Sequence, residues 1–355
     1  MNYMARRKSN KIEPAVQKLF LQIPSWDGVN QESSKWYCDI SQIASLMNRR
    51  FYRQGLNWAV AGITLHSPAF AGAGTPFYIQ PNTAFAVSKL PNTWVLSNAW
   101  EKSMRAWLKM NNEAMSETES VRPKFMDYKI YANDMHHTKG FGANLLPALT
   151  TAGEWDPSVF QIPDSTSPTG LANGREIVAV GANYPGAGAS GLDAVSMIEG
   201  YAASRALPNI KDPNVPDDYH YADGPIPQNW LQATFNEGTE QDGEVLDDLA
   251  DGNRIAPYPF ENDGTALDTM YPGGANQSPY LELMATGYVT STTIGGTTRL
   301  SGSNVPCGLL EFHNQVRYYA SPDLSGDPVV KMMLLEIDLV PGNHRGYLCE
   351  PMTEM

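Results

Sequence analysis

The chain has little cysteine: Cys38, Cys307 and Cys349 are the only three in 355 residues, far apart and without C-x-x-C spacing. Neither a disulfide framework nor a zinc site is indicated, and the three read as small, partly buried hydrophobes. Long apolar runs are also missing. None approaches the length that spans a bilayer, so no membrane insertion is expected. Near the start, Val16-Gln17-Lys18-Leu19-Phe20-Leu21 is interrupted by Lys18, and no small-residue cleavage site follows. That argues against a secretory signal peptide and for a soluble chain made in the cytosol. The sequence holds no internal repeat, no low-complexity segment and no G-x-S-x-G elbow, and its cysteines carry no local catalytic signature. Carboxylate pairs of the glycosidase kind assemble in space rather than in sequence, so they stay open. No motif calls for an enzyme or a cofactor.

Positive charge becomes scarce after residue 53. Up to that point nine basic residues (Arg6, Arg7, Lys8, Lys11, Lys18, Lys35, Arg49, Arg50, Arg53) face four acids, giving +5, while the rest carries 16 against 34, giving −18 of the total −13. An acidic body repels polyanions, so any nucleic-acid contact is expected from the N-terminal end alone. This is the layout of a shell protein with a basic inner arm, here residues 1–24, partly disordered. The same charges also fit a polar, frayed N-terminus on an ordinary acidic protein.

With 42% hydrophobic residues the chain can bury a sizeable core. Gly 30 and Pro 26 are spread rather than clustered, which favours many short strands joined by irregular loops over a helical bundle. Strands are expected at 56–65, where Leu56, Trp58 and Val60 alternate and Gly62 marks a bend or bulge, and at 77–90, 125–132, 177–181, 281–290 and 308–319. The plainest is 329–340, with Met333, Leu335, Ile337 and Leu339 on a packed face and Leu334, Glu336 and Asp338 on a wet one. One helix is clear at 98–117. Asn98 and Glu101 have capping-box spacing, and Trp100, Met104, Trp107 and Leu108 form an apolar stripe. From about 186 to 279 the pattern changes to Pro, Asp and Gly-rich connections around short helices at 192–206 and within 229–251. This reads as a long insertion between strands, anchored by Tyr258, Phe260, Tyr271 and Tyr280.

Three clusters invite a chemical reading and have a plainer one. Residues 186–191 spell G-x-G-x-x-G, but Asn183-Tyr184-Pro185 separates strand from glycines and βα alternation is absent, so a Gly-rich loop leading into a helix is the better reading. His136 and His137, adjacent on an expected strand, would point to opposite faces and show no ligand spacing with other histidines; a solvent-facing or hydrogen-bonded pair is favoured. The acids Glu237, Glu240, Asp242, Glu244, Asp247, Asp248 and Asp251 lack the calcium-loop pattern and read as a solvated face.

The last cluster is Asn48-Arg49-Arg50-Phe51-Tyr52-Arg53-Gln54-Gly55. Three guanidiniums interleaved with two rings suit phosphate contact and base stacking on a single strand; ion pairing within the fold or between subunits suits them as well. Together with Cys38-Asp39-Ile40-Ser41-Gln42, Leu90-Pro91-Asn92-Thr93-Trp94-Val95, Asn144-Leu145-Leu146-Pro147, Gly153-Glu154-Trp155-Asp156 and the aromatic-proline segments at 257–264 and 271–276, this cluster resembles the capsid proteins of small, circular, Rep-encoding single-stranded DNA viruses.

The resemblance covers most of the chain. It implies a single eight-stranded antiparallel jelly roll over 25–355 that self-assembles into an icosahedral shell around single-stranded DNA, a structural protein of the virion rather than an enzyme, with a host-cell receptor as a further partner. Arg6, Arg7, Lys8, Lys11, Arg49, Arg50 and Arg53 would be its nucleic-acid-binding residues. The basic arm is shorter than in better-known members. A jelly roll accommodates the pattern, since its long end connections absorb a helix and an insertion without breaking the core. The alternative is a β-sandwich carbohydrate-binding or carbohydrate-active protein, for which eight Trp and 17 Tyr would supply stacking platforms.

Overall fold

The computed structural model describes residues 15–23, 33–66, 70–71, 78–79, 82–116, 118, 120, 122–163, 172–183, 186–204, 230–235, 280–289, 296–317 and 333–355. Among these the chain is mainly β. In order the principal elements are β1 (Lys18–Ile23), β2 (Ser33–Asp39), α1 (Ile40–Asn48), β3 (Leu56–His66), β4 (Asn82–Lys89), α2 (Trp94–Ser116), α3 (Asp134–Lys139), β5 (Val159–Pro163), β6 (Ala172–Val178), β7 (Asp193–Ser196), α4 (Met197–Ser204), α5 (Trp230–Phe235), β8 (Glu282–Val289), β9 (Thr297–Ser301), β10 (Leu309–Arg317) and β11 (Met333–Leu339).

Two antiparallel sheets share one core. The first has the order β1-β11-β3-β9, extended along β3 by the short strands Asn304–Val305 and Cys349–Pro351; the second has the order β8-β4-β10-β2. Period-two alternation aims Leu19, Leu21, Ile63, Leu65, Leu335 and Ile337 of the first sheet at Phe85, Val87, Leu310 and Phe312 of the second, all buried. Along the chain, β1 to β4 switch sheet at every step. So do β8 to β11, starting in the second sheet.

A second core lies on the other face of the second sheet. Alternation turns Tyr37 and Leu309 outward, where they meet Val95, Leu96, Trp100 and Trp107 of α2, together with Tyr128, Phe160, Ile177 and Trp230. A third sheet, β5-β6-β7, belongs to this layer, and its β6–β7 pairing is parallel. The helices and third sheet of this layer are built by the connection from β4 to β8, with Met352 near the C-terminal end packing against them. The insertion read at 186–279 therefore begins about a hundred residues earlier in the fold, just after Lys89. Of the anchors expected within it, Tyr258, Phe260 and Tyr271 lie outside the described residues, and Tyr280 is exposed.

Several local expectations change. Residues 18–23 are not arm: Lys-Leu-Phe-Leu-Gln-Ile alternates, and pairing with β11 buries Leu19, Leu21 and Ile23, so β1 takes six residues from the segment assigned to 1–24. The helix starts at Trp94 rather than 98, because Thr93 caps it; Leu96 N donates to Thr93 Oγ1 at 3.3 Å. Residues 125–132 form no strand, with bends at Phe125 and Ala132, apart from a single bridge from Tyr131 to Val178. Residues 177–181 overlap the end of β6, in the third sheet, and 192–206 open with β7 before α4. The bulge expected near Gly62 is present, since the β11–β3 register skips Ala61.

On the outward face of β11, Leu334 is exposed as expected, whereas Glu336 and Asp338 are covered. Glu336 meets Lys18 of β1 and His66 of β3, and Asp338 meets Arg299 of β9 at 2.7 Å. Arg299 reaches Asp338 by crossing β3 at Gly62, where a Cβ would stand 2.8 Å from its Nη2. Polar pairing thus spans all four strands of this sheet.

Helix α2 docks tightly on the segment before β3: a Cβ on Gly55 would lie 2.2 Å from Trp100 Cζ2. Trp107, 8% exposed, sits about two turns further along and packs against Tyr128 with ring centroids 5.7 Å apart. Trp107→Ala should lower the unfolding free energy in urea by about 3–5 kcal/mol, as for other large core aromatics. A drop below about 1 kcal/mol would mean the stripe is not buried.

Candidate nucleic-acid interface

Asp39 ends β2 and caps α1. Its carboxylate is fully buried and accepts from Ser41 N at 2.8 Å, Gln42 N at 3.3 Å, Gln54 Nε2 at 3.0 Å and Trp155 Nε1 at 3.0 Å. Burial pushes its pKa up to about 6, against the downward pull of the four donors. Gln54 in turn brackets Ile130, giving Nε2 to its carbonyl and accepting from its N–H, while Gln54 N donates to Asp127. Gln42 donates to Ala152 O and accepts from Asn144, which accepts from His136 Nε2 at 2.9 Å. Sequence segments around 39–42, 48–55, 144–147 and 153–156 thus meet in one buried polar network. They are chain-distant and spatially adjacent.

His136 belongs to that network and not to a metal site. On α3, rather than on a strand, its Nδ1 accepts from Ala132 N and its ring stacks on Tyr37 at 4.6 Å; burial lowers its pKa to about 3, so it stays neutral. His137 is equally buried and pairs with Glu176 at 2.8 Å. No group of three or more metal-ligating side chains occurs among the described residues. The 186–191 loop is followed by β7, not by the expected helix, and presses Gly188 on His137, where a Cβ would stand 2.5 Å from Nε2. The strand-to-helix context of a dinucleotide fingerprint is absent here. The acids at 237–251 lie outside the described residues.

Above the network, α1 ends in the left-handed Arg49 (φ 53) and the chain turns outward. Arg49 and Arg53 are exposed and Arg50 is half-buried. The two rings between them are not free for stacking as the spacing suggests. Tyr52 is 1% exposed in the sandwich core, and Phe51 packs against Trp155 at 6.2 Å and Phe125 at 5.3 Å.

Other cations join them from distant sequence. Arg345 donates to Phe51 O at 2.6 Å, Lys129 sits 4.9 Å from the Trp155 ring, and Lys124 precedes Phe125. Arg345, Lys124 and Lys129 give no signal in the sequence, because nothing in their own neighbourhoods points to residues 49–53. Acids share the face: Glu154, Asp156 and the half-buried Asp127, whose pKa burial pushes up to about 6.

Arg6, Arg7, Lys8 and Lys11 lie outside the described residues. The chain they precede enters the fold beside α1: Val16 N donates to Asn48 Oδ1 at 3.0 Å, and Tyr347 OH donates to Val16 O at 2.7 Å. Asn48 is the residue before Arg49. Comparison with protein-family models, with curated proteins and with solved structures gives no match.

All four partners of Asp39 are donors, so neither orientation of an amide can satisfy them. Asp39→Asn should cost about 2–5 kcal/mol at pH 7 by urea unfolding, two buried donors being left facing an NH₂; an unchanged midpoint would mean the carboxylate does not hold this network.

Asp127 gives a pH signature. Its folded pKa of about 6 exceeds the ordinary 3.8, so the native state holds a proton that the unfolded chain has released. The resulting stability is full below about 4 and is lost as pH rises through about 6. His136 works in the opposite direction, its stabilisation fading as pH falls from 6.5 toward 3. The comparison of wild type with Asp127→Asn isolates the carboxyl: between pH 7 and 5 the variant should lack about 1 kcal/mol of stability gain. Parallel pH profiles for the two would remove Asp127 as the source.

Proposed function

We propose that this chain is the capsid protein of a small single-stranded DNA virus, a jelly roll whose copies close into an icosahedral shell around the genome. The observation that carries the reading is the strand order. β1-β11-β3-β9 faces β8-β4-β10-β2, with the chain crossing between sheets as two interleaved Greek keys do, an arrangement shared by viral shell and lectin domains. The sites of insertion fit it as well, because the helical layer leaves the sandwich at one loop and returns to it at β8 without interrupting a strand.

The basic face supports the choice of cargo. Arg49, Arg50 and Arg53 lie where the chain from the N-terminal segment enters, and Lys11 stands four positions before Ala15, at most about 14 Å of extended backbone. The basic residues of the N-terminal segment thus precede in sequence a stretch that joins the fold next to Arg49, on the side that would face the DNA. The glycan-binding alternative draws less support. Trp58, Trp100, Trp107, Trp155 and Trp230 are buried and Trp36 and Trp94 half-buried, so the exposed aromatic platforms left to it among the described tyrosines are Tyr280 and Tyr288. No helix among the described residues is long and apolar enough to cross a membrane.

Size-exclusion chromatography with negative-stain microscopy tests the reading: closed particles are expected, and a stable monomer with glycan affinity would overturn it. Replacing Arg49, Arg50 and Arg53 together with Gln should leave particles intact but lower their DNA content, with the salt slope of binding falling by about 0.7 log units for each phosphate no longer neutralised. Failure of assembly would assign these arginines to subunit ion pairs instead. Normal particles with normal DNA content would exclude both roles.

A further inference from the structure

The rings expected to stack on bases, Phe51 and Tyr52, are packed into the fold, yet the same face presents another. Phe125 is 53% exposed and lies on Phe51 with centroids 5.3 Å apart. Phe51 lies on Trp155, and Trp155 Nε1 is held by the buried Asp39 carboxylate. The outermost ring is thus the end of an aromatic tier anchored in the polar network, which fixes its position before any ligand arrives. Beside the acids Glu154, Asp156 and Asp127, cations stand around the tier: Lys124 with its Nζ over the Phe125 ring at 5.3 Å from the centroid, Lys129 over Trp155, Arg345 on the Phe51 carbonyl, and Arg50 next to Phe51 in the chain.

The other exposed rings among the described residues have different settings. Tyr288 lies on β8, which carries no lysine or arginine, Tyr280 stands two residues before that strand beside Glu282, and Phe20 on β1 lies opposite Glu336, the acid that pairs with Lys18. An exposed ring with a rigid backing, set among guanidinium and ammonium groups, matches the two demands of an unpaired nucleotide: a π-face for the base and positive charge for the phosphates on either side.

We infer that Phe125 is a base-stacking platform for single-stranded nucleic acid, with Arg49, Arg53, Lys124 and Arg345 holding the flanking phosphates. This rests on the reading of the basic face as the nucleic-acid interface and names the ring that meets the base. Duplexes, whose bases already stack on one another, are excluded from the ring. Stacking tolerates any base, so the site selects strandedness rather than sequence.

The test uses the full chain and two fluorescent probes of equal length, oligo-dT and an abasic deoxyribose-phosphate strand, with affinity read by anisotropy at one fixed salt concentration. Phe125→Ala should weaken oligo-dT by about 5- to 100-fold, the usual range for removing one stacked base, and leave the abasic strand within about twofold. Phe125→Trp should restore oligo-dT binding. Arg49→Gln with Arg53→Gln should weaken both probes together.

If Phe125→Ala leaves oligo-dT affinity unchanged while the arginine pair weakens it, stacking is overturned and the basic face stands. If the arginine pair changes neither probe, the basic face itself fails. Equal weakening of both probes by Phe125→Ala would make the ring a structural prop and overturn the proposal. So would loss of self-association in that variant with oligo-dT affinity intact, which would give the ring to a second copy of the chain.

Discussion

A single buried carboxylate sets much of the geometry described above. Asp39 has no cation beside it among its hydrogen-bonding partners; its charge is met by four N–H donors from α1, Gln54 and Trp155. Taking a carboxylate out of water is expensive, and charge-assisted hydrogen bonds offset that cost only when all of them are made together. The start of α1, the path of residues 50–55 and the seat of Trp155 are consequently fixed as a unit. The basic face inherits its shape from this, because Arg49 to Arg53 lie between two of the anchored points and Phe51 rests on the third.

The second consequence is a division of labour between the two cores. Between the sheets, apolar side chains alternate and pack with little polar content beyond the end of α1. In the outer layer, close approach is achieved by absence: Gly55, just before β3, under Trp100 of α2, and Gly200 of α4 under Trp230 of α5, where added Cβ atoms would lie 2.2 and 2.5 Å from ring carbons. Contacts this close tolerate little change of volume. The outer layer is therefore held by shape as much as by hydrophobicity, and the loops of the sandwich can vary around it.

Strands with one packed face were legible from alternation alone, β3 and β11 most plainly, and so was the apolar stripe of α2. What stayed hidden was which sheet a strand joins. The third-sheet strand β6 carries the same Ile and Val that a sandwich strand would, and periodicity does not name a partner. β1 was obscured by its charge: Lys18 and its basic neighbours upstream suggest an arm, although Leu19, Leu21 and Ile23 alternate cleanly. At the candidate site, Arg49, Arg50 and Arg53 were readable as a run. Arg345, Lys124 and Phe125 were not, since only the tertiary fold brings them to Phe51, and the sequence likewise could not say that Tyr52 points inward.

The neighbours in the first sheet carry a consequence for the timing of synthesis. Lys18 and Glu336, 318 positions apart, meet across the β1–β11 pair, and β11 also separates β1 from β3. β1 thus waits for β11, and the sheet cannot close until the residues up to Leu339 have been made. Pairings this remote form slowly and leave open edges in the meantime. Until β11 has emerged this sheet stays incomplete, so translation itself acts as a clock for its closure.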